Sequence, residues 1–440
     1  MNEGTPMQTA VLRCLSCCSV VAIALAAGPA WGGAFQLNER SAKSQGMSFA
    51  DSVSGAKDPS YAGFNPAALG KVEGFQMSGN ASGIFPISDG ETQEVLFNGD
   101  PIDIDLIPPG LVSLDTNADR SGFVPASAFG YRIDEDIAIG ITFNAPFGLS
   151  TENPDDFIGA PDGIQSNLLT VNISPALAWN VTDNFILGAS LDLLFVDARL
   201  TSSAVALDGS NTSVSFSAGA LWEPIDGTQI GLAYHHRHKD IAVDSTARFT
   251  DAAPAPLDAF AGQTFNSVVT ASLPGTVQLG VTQRVTDRIR ASVEARYITW
   301  SDFEEIQTEV PDIGFDFSDP QNYEDAFFVA IGGEYDLTET TMLRFGMAYD
   351  DSPTVDTTSL AEEDLGRTVR VPDADRLWFS VGASHRMDLF GFDAELDFAY
   401  SYLLALDDPE VIVRAGPAAG SRIEYEGGAH IFSVGGTVRF

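Results

Sequence analysis

From Phe75 to Phe440 the chain repeats one unit, in which a short run alternates apolar with small or polar residues and then gives way to a turn or polar loop. The last run is the plainest case. Phe432, Val434, Gly436, Val438 and Phe440 fall on one side, and Ser433, Gly435, Thr437 and Arg439 on the other. A strand with period 2 turns the first set toward lipid and the second into a lumen, which is the pattern of a transmembrane β-barrel. Fourteen such runs are expected, near 75–86, 121–132, 137–149, 168–180, 185–203, 212–222, 229–238, 272–282, 289–303, 326–336, 341–352, 376–386, 391–404 and 427–440. An even number suits closure of an up-and-down antiparallel barrel.

The connectors alternate in length. Short ones carry turn chemistry, as in Asp134-Glu135-Asp136, Thr182-Asp183-Asn184, Asp226-Gly227 and Thr286-Asp287. Long ones are expected at 87–120, 150–167, 239–271, 304–325, 353–375 and 405–426. This asymmetry assigns the short turns to the periplasm and the long loops to the cell exterior. Alternation places Phe185, Leu187, Leu191 and Phe195 toward lipid and Ser190 and Asp192 inward, with Glu294, Arg296, Asp393, Glu395 and Asp397 also inward. Trp179, Trp222, Trp300, Trp378 and Tyr349 lie at strand ends, where interfacial aromatic girdles are expected. A soluble β-sandwich also alternates, but it does not usually combine fourteen strands with long loops on one side only.

Ahead of the alternation, residues 1–32 read as a secretory signal, with Arg13, an apolar stretch from Val20 to Ala27, and small residues Ala30 and Gly32 before the expected cleavage. A start at Met7 leaves the same mature chain. Cys14, Cys17 and Cys18 precede the apolar stretch, whereas a lipid-modified cysteine follows it, so a lipoprotein signal is disfavoured. These are the only cysteines, so neither disulfides nor thiolate metal sites are expected in the mature protein. No later run approaches the 18 or so apolar residues of a membrane helix.

The formal net charge is -38. It argues against nucleic acid, which requires a basic patch. Acids gather between strands, as in Asp100, Asp103 and Asp105 or Glu304 and Glu305. Solvation of long loops and divalent-cation bridging to lipopolysaccharide both fit this distribution, and no EF-hand spacing is present.

Residues 33–74, between signal and barrel, lack sustained alternation. Here Ala34-Phe35-Gln36-Leu37-Asn38-Glu39, Ser41-Ala42, the stretch 56–58 and Asn65-Pro66-Ala67 resemble the amino-terminal hatch of the FadL/TodX family of outer-membrane transporters for long-chain fatty acids and other hydrophobic compounds. The likeness continues through Asn144-Ala145-Pro146-Phe147-Gly148-Leu149, Leu273-Pro274, Trp300-Ser301-Asp302-Phe303 and Arg370-Val371-Pro372-Asp373-Ala374-Asp375-Arg376. It implies an all-β, fourteen-stranded barrel over 75–440 with a hatch over 33–74, and a hydrophobic cargo that binds inside and leaves sideways through a gap at a kinked third strand.

By resemblance, Phe35 would reach the inner pocket and be displaced by ligand. Pro146 removes a ladder N–H and Gly148 permits unusual dihedrals, so Asn144, Pro146, Phe147 and Gly148 form the expected kink; the plainer reading is that the strand ends there. Asn65, with Pro66 and Ala67, would sit beside the kink and bridge its unpaired backbone groups, or alternatively start an ordinary helix in the hatch. Tyr61-Ala62-Gly63-Phe64 departs from the usual hatch pattern. Arg296 and Arg344 are candidates for the partner of a cargo carboxylate, although either can instead pair with Glu294, Glu334 or Asp397. A neutral hydrocarbon would need no such partner.

His235, His236, His238 and Lys239 are expected at the outer rim, where strand geometry puts only His236 and His238 on one side, so a protonatable patch is preferred over a metal site. Ser384 and His385 point to opposite faces, and no nucleophile has a convincing base, so no enzyme is expected. No cofactor or metal is called for. A general porin for small polar solutes is the main rival, with an aromatic hydrocarbon channel of the same fold as the second. A plugged barrel has no evident need for partners, so a monomer is expected.

Overall fold

The computed structural model describes residues 33–440, and the expected signal segment lies outside the described residues. Fourteen antiparallel strands form a closed wall: β1 (Phe75–Phe97), β2 (Gly122–Arg132), β3 (Ile137–Asn144, resuming at Gly148–Glu152), β4 (Gln165–Thr182), β5 (Phe185–Thr201), β6 (Val205–Ile225) and β7 (Thr228–His235) form its first half. The second half is β8 (Thr276–Arg284), β9 (Ile289–Ile298), β10 (Ala326–Asp336), β11 (Thr341–Asp350), β12 (Arg376–Leu389), β13 (Phe392–Ala405) and β14 (Arg422–Arg439). Each strand pairs with the next, and β14 closes on β1 from Gln76↔Arg439 to Glu94↔Arg422 with one irregularity near Gln93. The closed ladder leaves few backbone groups to be satisfied by lipid, which supplies no hydrogen bonds.

The alternation has the expected sense. Leu187, Leu191, Phe195, Val293 and Phe398 are exposed on the outer face, while Asp192, Glu294, Arg296 and Asp397 are buried inside. Two long connectors are partly ordered as strand pairs that rise above the barrel. His238–Phe249 runs up from β7 and returns as Thr264–Leu273 into β8, and Glu305–Val310 pairs with Phe315–Pro320. Strand β6 likewise begins at Val205, earlier than the expected 212, because its first residues pair with both β5 and the rising His238–Phe249 strand.

The aromatic girdle needs correction. Trp179 and Trp222 are exposed on the outer face, but Trp300 and Trp378 are fully buried. Trp378 packs edge-on against Phe49 and Phe328, and Trp300 against Phe35. A strand end feeding a long loop can turn an indole over the lumen as readily as into the interface, and the linear pattern does not distinguish the two.

Residues 33–72 fill the lumen as one short helix, α1 (Ala42–Gln45), two 3-10 turns (Pro59–Gly63 and Pro66–Lys71) and extended chain. The barrel accommodates them by omitting side chains. A Cβ on Gly188 would collide with the Pro66–Ala67 backbone, on Gly231 with the Val53 carbonyl, and on Gly346 with the Met47 backbone. Gly188 also sits opposite Gly219, whose Cβ would strike Asn65. Here glycine serves close approach between backbones.

Candidate functional site: an apolar pocket and a broken strand

The interruption of β3 is the first element of the site. Asn144 pairs with Asn172, and Gly148 with Leu169, so three residues of β3 (Ala145, Pro146, Phe147) face two of β4. This is a one-residue bulge. Pro146 offers no donor, and Thr170 substitutes for the ladder: the Phe147 N–H donates to its Oγ1 (3.0 Å), which donates to the Phe147 carbonyl (2.5 Å). On the other side, β2 stops pairing with β3 at Ser127↔Phe143, so Gly122–Ala126 have only β1 beside them.

The chain just before α1 takes up groups that the break frees. Leu37 N–H donates to the Pro146 carbonyl (2.8 Å), and Gly148 N–H donates to the Phe35 carbonyl (2.9 Å). Gln36 forms an isolated bridge with Phe147. Phe35, Gln36 and Leu37 therefore act as a short inner strand laid along the break.

Phe35 belongs to an aromatic cage. Its ring meets Trp300 (4.8 Å between centroids), Phe303 (5.4 Å) and Phe147 (6.2 Å), all edge-on. Beyond it lies a cavity of about 110 Å³ walled by Val196, Ile241, Val243, Val269 and Leu273, among others. One guanidinium borders it. Arg370 Nη1 donates to the carbonyls of Gln165 (3.2 Å) and Thr201 (3.4 Å) and to Ser166 Oγ (2.8 Å), so it braces β4 and β5.

On the other side of Gln36 and Phe147 is a smaller polar chamber of about 50 Å³. Asp192 is its acid, and it accepts from the hydroxyls of Ser174 (2.6 Å), Ser190 (3.2 Å) and Ser217. His235 joins barrel to hatch, through a hydrogen bond with Ser217 Oγ (2.8 Å) and a bond from Nε2 to the Phe64 carbonyl (2.8 Å). His238 is bonded to Ser213 Oγ (2.9 Å), while His236 stacks on outward-facing Phe216. His235, His236 and His238 all line this chamber, and the ladder is interrupted at His236-Arg237 between them. Among the described residues no group of His, Cys, Asp and Glu is placed to hold a metal ion.

Asn65 lies away from the break. Its Oδ1 accepts from Ala67 N–H (3.0 Å), capping the turn that Pro66 begins, and its Nδ2 donates to the carbonyls of Val53 (2.8 Å) and of Ala220 on β6 (3.1 Å). The role of bridging groups at the kink is filled instead by Phe35 and Leu37. Arg296 and Arg344 are both spent on structure. Arg296 contacts Glu294 (2.7 Å) and Asn38 Oδ1 (2.6 Å), and Arg344 contacts Glu334 (2.8 Å) and Ser384, with neither facing the apolar cavity. Of the two uses that alternation left open for these arginines, the structure shows the pairing with lumen acids, Arg296 with Glu294 and Arg344 with Glu334.

The outer mouth is covered by loops that Arg414 ties together. Its guanidinium reaches Asp319 (2.9 Å) and the carbonyls of Pro320 (2.8 Å) and Gly366, and its N–H donates to Asp162 (2.5 Å). A cavity of about 590 Å³ opens at the short-turn end and is lined by charged side chains such as Lys57, Arg290 and Asp336.

A plugged fourteen-stranded wall with an apolar cavity behind a strand break narrows the comparison. Residues 23–440 match the family model of outer membrane protein transport proteins (OMPP1/FadL/TodX). The chain belongs to this family. A long-chain fatty acid transport protein of Salmonella typhi is 23% identical over 94% of this chain and 96% of its own length. The 47 kDa outer membrane protein of Pasteurella multocida is 27% identical over 87% and 90%. Among solved structures, a Pseudomonas aeruginosa FadL homologue superposes with a TM-score of 0.80 at 21% identity, covering 92% of this chain and 99% of that one. The Pseudomonas putida toluene transporter TodX gives 0.62 at 16%, covering 90% and 98%. Members of the OMPP1/FadL/TodX family are outer-membrane transport proteins, and this chain is an outer-membrane barrel of that family.

Proposed function

We propose that this barrel takes up long-chain fatty acids or similarly apolar compounds, by binding them inside and releasing them sideways. The observation that carries this is the apolar cavity sealed by Phe35, whose two neighbouring backbone bonds are made to the broken strand. Hydrocarbon burial contributes about 0.8 kcal/mol per CH2. A ligand tail that replaces the Phe35 ring inside the Trp300 cage therefore competes directly with the bonds of Leu37 and Phe35 to Pro146 and Gly148. Withdrawal of Phe35-Gln36-Leu37 would uncover the break and the unpaired edge of β2 at Gly122–Ala126, giving a passage toward lipid. No energy source is required, since the cargo moves down its gradient.

The protein would work as a monomer, with each barrel carrying its own hatch, pocket and opening. The acidic outer rim, where Asp89, Glu91, Asp115, Glu424 and Glu426 line one groove, would face the lipopolysaccharide leaflet. A fluorescent long-chain fatty acid bound to the purified barrel in detergent, with oleate and toluene as competitors, tests the reading. Saturable displacement by oleate is expected. Displacement by toluene alone would move the cargo to aromatic hydrocarbons, and absence of saturable binding with steady ion conductance would leave a porin.

A further inference from the structure

Nearly every cation that reaches the lumen wall is paired. Lys43 contacts Asp58 at 2.6 Å, Lys57 contacts Asp51 at 2.6 Å and Glu334 at 2.5 Å, and Arg290 contacts Glu334 at 2.9 Å, in addition to Arg296 and Arg344. Arg40 differs. It makes no ion pair among the described residues; its guanidinium lies over the Phe64 ring at 5.1 Å, one nitrogen donates to the Gly63 carbonyl, and Nε is buried without a partner. A buried guanidinium N–H left unpaired is costly unless something occupies it.

Arg40 lines the polar chamber, on the side of Gln36 and Phe147 away from the apolar cavity. The two spaces are thus neighbours, divided by the residues whose withdrawal opens the break. They differ in chemistry as the two ends of an amphiphile do. The larger is walled by carbon, and the smaller, of about 50 Å³, has room for a headgroup but not for a tail. Asp192, the acid of the chamber, accepts from three serine hydroxyls and makes no ion pair with Arg40 among the described residues. Asn172 adds a second open position, since its Oδ1 is buried without a partner while its Nδ2 donates to Ser174. A carboxylate that accepts from Arg40, together with one water that donates to Asn172 Oδ1, would satisfy both.

We propose that this chamber is the headgroup site of the cargo, that Arg40 binds the carboxylate of a long-chain monocarboxylic acid beside the break, and that it thereby selects acids over neutral hydrocarbons. The inference rests on the transport reading above and names its substrate class. Arg370 is the other cation near the cavity, but its bonds to β4 and β5 mark it as a brace.

The test is displacement of a fluorescent fatty acid from the purified full barrel by oleate and by oleyl alcohol, which share one tail. In Arg40→Gln the ratio of oleate to oleyl alcohol affinity should fall about tenfold or more, the effect of losing a charge-assisted bond. Arg40→Lys should restore part of the ratio. Asn172→Asp, which brings a second negative charge into the chamber without touching Arg40, should lower the same ratio and serves if Arg40→Gln does not fold. An unchanged ratio in whichever variants fold, or a fall produced by Arg370→Gln instead, overturns the headgroup site. If the unaltered barrel binds neither ligand saturably, the transport reading itself fails, and that outcome is distinct from the others.

Discussion

The hatch has two parts that are held by different forces. From Ala42 to Lys71 it is bonded to the wall through polar side chains: Ser48 to Ser380 (2.8 Å), Ser52 to Glu294 (2.7 Å), Ser54 to Thr282 (2.8 Å) and Lys57 to Glu334 (2.5 Å). From Gly33 to Leu37 it is held by one aromatic ring in a cage, by backbone bonds to a strand that is already broken, and at its very start by N–H bonds from Gly33 to Asp350 (3.1 Å) and from Ala34 to Asp373 (2.9 Å). The first set is satisfied only in one position, because each buried partner left behind would be unpaired. In the second, the Phe35 ring exchanges readily, since an apolar ligand offers the cage the same contacts. Motion is therefore expected in the front of the hatch while its body stays seated.

The largest effect should follow from unseating the body. Gly188→Leu places a side chain where the Pro66–Ala67 backbone lies, and neither that turn nor the paired wall has room to yield. We expect a barrel that still forms its ladder but has lost the seated hatch, seen as steady single-channel conductance where the parent protein is closed. A closed, fully stable variant would show that the body tolerates displacement, and the two-part description would fall.

Next in size is Arg296→Met. Glu294 would keep Ser52 and the Val53 N–H but lose its cation, and Asn38 would lose its donor. Breaking a buried pair from one side costs about 3–5 kcal/mol. Faster protease access to the hatch at unchanged barrel mobility on a gel would report it. By contrast, Phe35→Ala should act on function more than on seating. It empties the cage that the cargo otherwise has to win, so oleate affinity should rise by about tenfold, part of the roughly 3–5 kcal/mol that a buried aromatic ring contributes. Weaker binding would mean that Phe35 is a contact for the cargo and not its competitor.

The difference between the two parts also explains what the sequence could and could not disclose. Strand number, strand sense and the outer face were legible because lipid forces a strict period on every strand, as Leu187-Leu191-Phe195 shows. The proline at 146 marked the break because a missing N–H is a local property. What the lumen does was not legible, because an inward Arg or Trp can face water, a hatch or a partner from another strand. Thus the sequence left Arg296 open between a cargo carboxylate and Glu294, and Asn65 between bridging the break and starting a helical turn, and the packed lumen shows the second of each, while Trp300 looked interfacial and forms the cage. A signal for Arg40 was present in principle, as a cation inside the hatch with no acid at helical or strand spacing except its neighbour Glu39, but only the packed lumen shows it unpaired.

The smallest expected effect lies in the outer cap and sets a third, weaker kind of closure beside the two in the hatch. Burial at the loop crossing pushes the Asp162 carboxyl up from 3.8 to about 7, although the Arg414 N–H and guanidinium oppose the rise. A carboxyl raised on folding binds its proton more tightly in the folded cap than in the open chain. Its contribution is complete below about pH 3.8, declines as pH rises, and is gone above about 7. The cap should therefore loosen between those values. Hydrogen exchange of the 153–164 loop at pH 5 and pH 8 measures this, with faster exchange expected at the higher pH beyond the intrinsic rate change. Asp162→Asn keeps an acceptor for the Arg414 N–H and removes the proton, so it should abolish the difference. If the difference persists in that variant, the cap is governed by other acids in the loops, and its closure is unrelated to this crossing.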